Sequence, residues 1–211
     1  MLNPAHLSTL PTLIYNRLED NYHLSNKKAL FRNISNYYNA QGYDPFEVAI
    51  PLTFNVKTPS NADPEYVKFM KAYKDIDKKR ETNIWIIKPG ENSNRGTGIQ
   101  VANSMTEVRQ IVHSMASKAG GRTSIVQKYI DRPLLIHGRK FDIRGYAMMT
   151  SINGVLKGYM YRDCYFRTSS KAFDLTNLHS KFIHLTNDAI QIQSEDYGKF
   201  ESGNKMSIND F

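Results

Sequence analysis

Residues 83–98 read NIWIIKPGENSNRGTG, and the fold turns on how they are parsed. Asn83 to Lys88 form a short apolar run, rich in β-formers and too brief for a helix, which predicts a buried strand. The strand ends at Lys88 and opens into a loop carrying Gly90, Gly96 and Gly98. Glycines let backbone amides approach an anion closely, and a lysine beside them neutralises it. The same composition also makes an ordinary mobile connector, so the loop alone leaves both readings open. It is not a Walker A loop, because no Gly-Lys-Ser/Thr follows, and no protein-kinase HRD or DFG comes later.

Downstream, Ser104 and Glu107 have capping-box spacing, and Val108, Ile111, Val112 and Met115 form the apolar stripe of a helix that Gly120 and Gly121 end. SIVQKYI, residues 124–130, reads as a second strand. Residues 139–169, RKFDIRGYAMMTSINGVLKGYMYRDCYFRTS, predict a long antiparallel hairpin, two alternating runs joined by Asn153-Gly154, the preferred type I′ pair. The order strand, loop, helix, strand and hairpin gives a mixed α/β (α+β) fold class.

Upstream, residues 1–25 are weakly patterned, and Met1 to Leu10 lack the basic and apolar stretches of a signal peptide. NKKALFRNISNYYNAQG (26–42) places Leu30, Phe31, Ile34, Tyr37 and Tyr38 at helical spacing, with Ser25 or Asn26 as cap and Gly42 as stop. A short extended piece is expected around Ile50 to Val56. Asp63 and Pro64 then open a second helix with apolar positions Tyr66, Val67, Met70 and Tyr73, ending in the solvated run KDIDKKRE. Residues 1–82 therefore read as a mainly helical N-terminal region, and 83–211 as the α/β part.

Composition narrows the partners. With 40% hydrophobic residues in 211 the chain can bury a core, and no run approaches the roughly 18 apolar residues of a membrane span. The single cysteine, Cys164, makes no internal disulfide, which fits a reducing compartment. A cytoplasmic protein is expected, a monomer without a membrane partner. A net charge of +8 favours an acidic partner through long-range attraction. Nucleic acid is one such partner, but no stacking platform or helix-turn-helix signature supports it.

Three further clusters carry chemistry. Lys140, Asp142 and Arg144 lie two apart, so on a strand they share a face, with Phe141 and Ile143 turned to the core. Mixed charges at that spacing form either a solvated face or a site for phosphate and carboxylate groups. The returning strand is expected to add Tyr159, Tyr161 and Asp163, with Arg167 close by. HLTND, His184 to Asp188, is polar enough for a plain turn or cap. None of the 6 histidines has zinc-ligand spacing with another His or with Cys.

Taken in order, NIWIIKPGENSNRGTGI, IVQKYIDRPLLI, RKFDIRGY, YRDCYFRTSS and HLTNDAIQ resemble the tubulin tyrosine ligase-like family, from about Asn83 to the end of the chain. The tail SEDYGKFESGNKM is similar to the segment after HLTN in that family. The resemblance implies an ATP-grasp fold, here partial, whose two α/β lobes clamp ATP. It implies amide formation between an amino acid and a tubulin carboxylate through an acyl phosphate, with acidic tubulin or microtubule tails and a free amino acid as partners. It places the protein at the cytoskeleton, with the cilium or basal body as candidate sites.

By matching position, the resemblance assigns Lys88 and Lys128 to ATP, Lys88 to its phosphates, and Gln127, Lys128, Tyr129 and Ile130 to the strand edge that receives adenine. Lys140 and Asp142 match nucleotide-binding residues, and Arg144 faces the phosphates or the amino acid. Arg167 matches the arginine that holds the amino acid's carboxylate, a role suited to its planar fork. Thr186 and Asn187 match polar groups near the phosphates, and Arg95, Gly96 and Gly98 the loop that covers them. Magnesium ligands in the family, a late Asp and a Glu-x-Asn, are expected beyond Phe211, so none is assigned here. The alternative is a truncated, inactive module that binds nucleotide or tubulin. Asp188 replaces the Tyr common after HLTN in glutamate ligases, which leaves tyrosine or glycine addition open.

Overall fold

The computed structural model describes residues 21–91, 93–117 and 123–211, and these form a mixed α/β fold with several sheets. Helix α1 (Tyr22–Ser25) leads into α2 (Lys27–Ala40). The Asn26 side chain accepts the Lys28 and Ala29 amides, satisfying two donors that a helix start leaves unpaired. At the other end Gly42 takes φ of +79°, while the Tyr43 amide reaches back to the Tyr38 carbonyl and the Gly42 amide to Asn39. That is the Schellman closure which glycine permits at no steric cost. Helix α3 (Pro45–Val48) and strand β1 (Thr53–Val56) follow, then helix α4 (Pro64–Lys78), capped by Asp63 and started by Pro64.

Strands β2 (Trp85–Pro89) and β3 (Gln100–Ala102), helix α5 (Met105–Ala116) and strand β4 (Ser124–Lys128) complete the first layer. Ser104 caps α5 by accepting the Glu107 amide. The glycine pair expected to end α5 lies outside the described residues. The sheet runs β1-β4-β2-β3, antiparallel throughout, so one edge strand, β1, comes from before Asn83 and the other three strands from after it.

Alternation along these strands sorts the two faces. Phe54, Val56, Trp85, Ile87 and Val126 pack against Tyr66 and Phe69 of α4 and against Val108, Ile111, Val112 and Met115 of α5. Burial of each large side chain contributes about 1.5–3 kcal/mol, so this cluster is the chief stabiliser of the layer. In α4 the buried positions are Tyr66 and Phe69, while Val67, expected in the stripe, is 42% exposed. The opposite sheet face presents Thr53, Asn55, Lys88, Ile125 and Gln127 toward α2.

The second layer holds β5 (Leu135–Ile136), β6 (Arg139–Arg144), β7 (Ala147–Ile152), β8 (Val155–Met160) and β9 (Tyr165–Thr168). The short helices α6 (Lys181–His184) and α7 (Asp188–Gln191) and strand β10 (Lys205–Ser207) follow. The order β10-β9-β6-β5 forms one sheet, and β7 pairs with β8 beyond it. The expected long hairpin is present, with β6 and β7 going out, β8 and β9 returning, and positive φ at Asn153 (50°) and Gly154 (77°) as a type I′ turn requires.

Its register departs from the expected one. Arg144 pairs with Tyr165 and Ala147 with Met160, so three steps outward face five steps back. The surplus is a bulge at Tyr161–Cys164, the irregularity by which a strand absorbs extra residues. Tyr159 therefore faces Met148, the Tyr161 amide bonds the Tyr146 carbonyl, and Asp163 lies exposed in the bulge. It is Arg167 that stands directly opposite Asp142. Ile143, expected in the core, is 60% exposed, whereas Phe141 packs on Phe166 and Phe211.

Candidate active site

Two lysines from different sheets converge. Lys88 leaves the end of β2 on the face away from the Trp85 core, and its Nζ donates to Gln127 Oε1 at 2.7 Å. Gln127 in turn donates from Nε2 to Thr53 Oγ1 at 2.8 Å, so its carbonyl is held toward the lysine. Lys140 leaves β6 and donates to Tyr129 Oη at 3.0 Å and to the His184 carbonyl at 3.1 Å. Among the described residues neither ammonium forms an ion pair with a carboxylate. Burial, then the charge of nearby Lys27, lowers the Lys88 pKa to about 8. Burial, then Lys88, lowers that of Lys140 to about 8, against a small upward pull from Asp142. Desolvated cations that repel each other bind an anion with more gain than solvated ones do.

Around this pair the loop after β2 is tied down at both ends. At its start, Glu91 accepts from Lys28 Nζ at 2.9 Å and from the Thr123 amide and hydroxyl at 2.9 and 2.7 Å. Lys27 donates to the carbonyl and hydroxyl oxygens of Ser93 at 2.9 and 3.0 Å. At its far end Gly96, at φ +82°, lies so close to α7 that a Cβ there would meet Asn187 Oδ1 at 2.8 Å. Gly98, at φ +76°, rests on the Pro89 ring. The loop thus bridges the two layers, and its glycines are demanded by backbone angle and by close approach.

The charges of the second sheet are paired differently. Arg167 grips Asp142, with Nε 2.8 Å from Oδ1 and one terminal nitrogen on Oδ2. That fork-to-carboxylate geometry raises the Arg167 pKa, chiefly through the Asp142 hydrogen bond. The remaining Nη of the fork has no partner among the described residues. Arg144 is exposed beside the Tyr146 ring, 5.9 Å away. Thr186 is buried, and Asn187 starts α7 without a side-chain cap bond.

A family model described as the tubulin-tyrosine ligase family matches residues 7–211. The chain belongs to that family. Tubulin glycylase 3B of Drosophila melanogaster is 44% identical over 109 residues, covering 52% of this chain and 14% of that protein. Tubulin monoglycylase TTLL3 of Mus musculus is 45% identical over 118 residues, 55% of this chain and 12% of its own length. Tubulin polyglutamylase TTLL5 of Homo sapiens is 28% identical over 202 residues, 92% of this chain and 14% of that protein. This family member therefore spans a small fraction of each curated relative it matches.

Within this chain, the residues singled out from sequence divide into three groups. Lys88, Gln127, Tyr129, Lys140, Gly96, Asn187 and Thr186 gather where the loop meets the two layers. Asp142, Arg144 and Arg167 share a face of the second sheet with Lys140. In the third group the side chains lie on another sheet face or are exposed. Lys128 pairs with Trp85, so it takes the helical face of the first sheet, lying 6.0 Å over that ring and donating to the Thr82 carbonyl. Ile130 is 57% exposed and Arg95 is exposed.

Sequence reasoning misses two participants. Lys27 reads only as part of a helix start, yet a cation there opposes the helix dipole, a placement that favours an acceptor outside the helix. His184, which HLTND places in a polar turn or cap, is 2% exposed and bonded through both ring nitrogens. Among the described residues no three His, Cys, Asp or Glu side chains gather to hold a metal ion.

Proposed function

We propose that this chain supplies the ATP-binding part of a ligase that joins an amino acid to a carboxylate of tubulin, in an ATP-grasp arrangement of its two layers. The observation that carries the reading is the approach of Lys88 and Lys140 from separate sheets, both half-buried and without a carboxylate partner among the described residues, where Lys88 opens into a glycine-bearing loop. A polyphosphate fits such a place, because it neutralises both cations and accepts the loop amides at positive φ.

In this reading Lys88 and Lys140 hold the phosphates, and the segment Gln127–Ile130 receives the base. Asp142 fixes the Arg167 fork by one edge and leaves the outer edge to orient the amino acid's carboxylate. Arg144 adds charge where the phosphoryl group moves to the acceptor carboxylate, forming the acyl phosphate that the amine attacks. Positioning and charge neutralisation are the protein's share of such chemistry. The higher identity to tubulin glycylases than to the polyglutamylase favours glycine as the amino acid. The +8 charge suits the acidic tails of tubulin, and the cytoskeleton is the setting that follows.

Lys88→Ala and Lys140→Ala, each checked for an intact fold by circular dichroism, are expected to abolish ATP binding measured by calorimetry. Unchanged affinity in both variants would refute the site.

A further inference from the structure

We infer that His184 is a positioning residue, which acts through the Tyr129 hydroxyl to set the direction of the Lys140 ammonium. The inference rests on the reading of Lys140 as a phosphate contact and adds to it how that contact is aimed.

The direction of each bond follows from the donor inventory. His184 Nε2 lies 2.9 Å from the Asn177 carbonyl, which only accepts, so Nε2 carries the proton. Nδ1 of a neutral ring is then an acceptor, and at 2.9 Å it takes the proton of the Tyr129 hydroxyl. With its proton committed, the Tyr129 oxygen offers lone pairs to Lys140 Nζ at 3.0 Å. The same histidine supplies its own carbonyl to Lys140 at 3.1 Å. Two of the three ammonium protons are thereby fixed, and the third is left for a ligand.

Packing holds the relay in one arrangement. The His184 ring meets Tyr129 edge-to-face at 5.5 Å and Phe173 at 6.0 Å. Lys140 lies 4.5 Å from the centre of the Tyr129 ring as well as on its oxygen. Burial lowers the His184 pKa, which keeps the ring neutral and its Nδ1 an acceptor.

The test uses the 211-residue chain and two readouts, the titration of Lys140 followed by NMR at its side chain, and ATP affinity. Tyr129→Phe removes only the hydroxyl. His184→Phe keeps the ring packing and removes both nitrogens, whereas His184→Asn restores an acceptor near the position of Nδ1. Tyr129→Phe and His184→Phe are each expected to lower the Lys140 pKa below that of the parent chain, the first because an acceptor for the charged form is lost, the second because the Tyr129 proton, no longer held by Nδ1, is free to turn toward Lys140. Each is expected to weaken ATP binding roughly tenfold, with the double variant no worse than either single one. His184→Asn should stay within about threefold of the parent.

An unchanged Lys140 titration in folded Tyr129→Phe overturns the inference, as does additive loss in the double variant or an Asn variant as impaired as the Phe one. If His184→Phe does not fold, Tyr129→Phe still decides. If the parent chain binds no ATP, the nucleotide reading fails, while the Lys140 titration in the free protein still judges the relay.

Discussion

Raising the pH from 7 to 9 should release ATP from this site while making the free protein more stable. Lys88 and Lys140 each have a pKa near 8, lowered first by burial. Each is about nine-tenths charged at pH 7 and about one-tenth charged at pH 9. A ligand that requires both ammonium groups then loses roughly 100-fold in affinity across that interval. At pH 8 binding draws in about one proton in total, half from each site. The terminal phosphate, with a last pKa of about 6, is already ionised there and does not confuse the count.

Stability moves the other way. In the unfolded chain lysine titrates near about 10.4, so between about 8 and 10.4 the unfolded state binds more protons and folding gains as pH rises. Calorimetry of ATP binding in two buffers of different ionisation enthalpy measures the uptake, and urea melts of the free chain measure the stability. Flat affinity from pH 7 to 9 with no proton uptake would remove these lysines from the anion site. Lys88→Met should roughly halve the uptake and raise the Lys140 pKa, because the repelling neighbour is gone.

Arg139 and Glu201 form a buried pair, at 3% and 11% exposure, with Glu201 also taking the Thr168 hydroxyl at 2.8 Å. Arg139→Met alone is expected to cost about 3–5 kcal/mol in urea unfolding, and adding Glu201→Leu should recover much of it, whereas a single-variant cost under about 1 kcal/mol would deny the pair its role. Gly42 and Gly96 have similar positive φ, but a Cβ meets nothing within 4 Å at Gly42 and Asn187 Oδ1 at 2.8 Å at Gly96. Gly42→Ala should cost about 1–2 kcal/mol in stability, while Gly96→Ala should in addition speed amide exchange in the loop and weaken ATP binding; equal behaviour of the two would show that the loop does not dock on Asn187.

Much of the architecture was legible because its signals are local. Asn26, Asp63 and Ser104 announce helix starts from side chains two or three residues away, and Asn153-Gly154 announces its turn. What was not legible depends on pairing between distant segments. Nothing in TFNV alone says that it will border β4, yet that pairing brings Thr53 to Gln127 and so helps to aim Lys88. Lys128 is instructive in the other direction. Strand alternation forbids neighbours Gln127 and Lys128 from facing the same way, so once Gln127 belongs to the Lys88 side, Lys128 cannot. The contacts of His184 are likewise illegible in the sequence, since its partners Tyr129 and Asn177 come from separate segments of the chain.

The bulge at Tyr161–Cys164 has a consequence for how this hairpin can vary. Its surplus is even, so the returning strand keeps its phase and every side chain of β9 stays on the face it would have had without it. Deleting the two surplus residues would leave two facing two, so Tyr165 would still meet Arg144 and Arg167 would still stand across from Asp142. Running the present length on without the bulge would instead advance the register by two and set Tyr165 across from Asp142, on the same face. The bulge is therefore a spacer, and whether it forms decides which side chain meets Asp142.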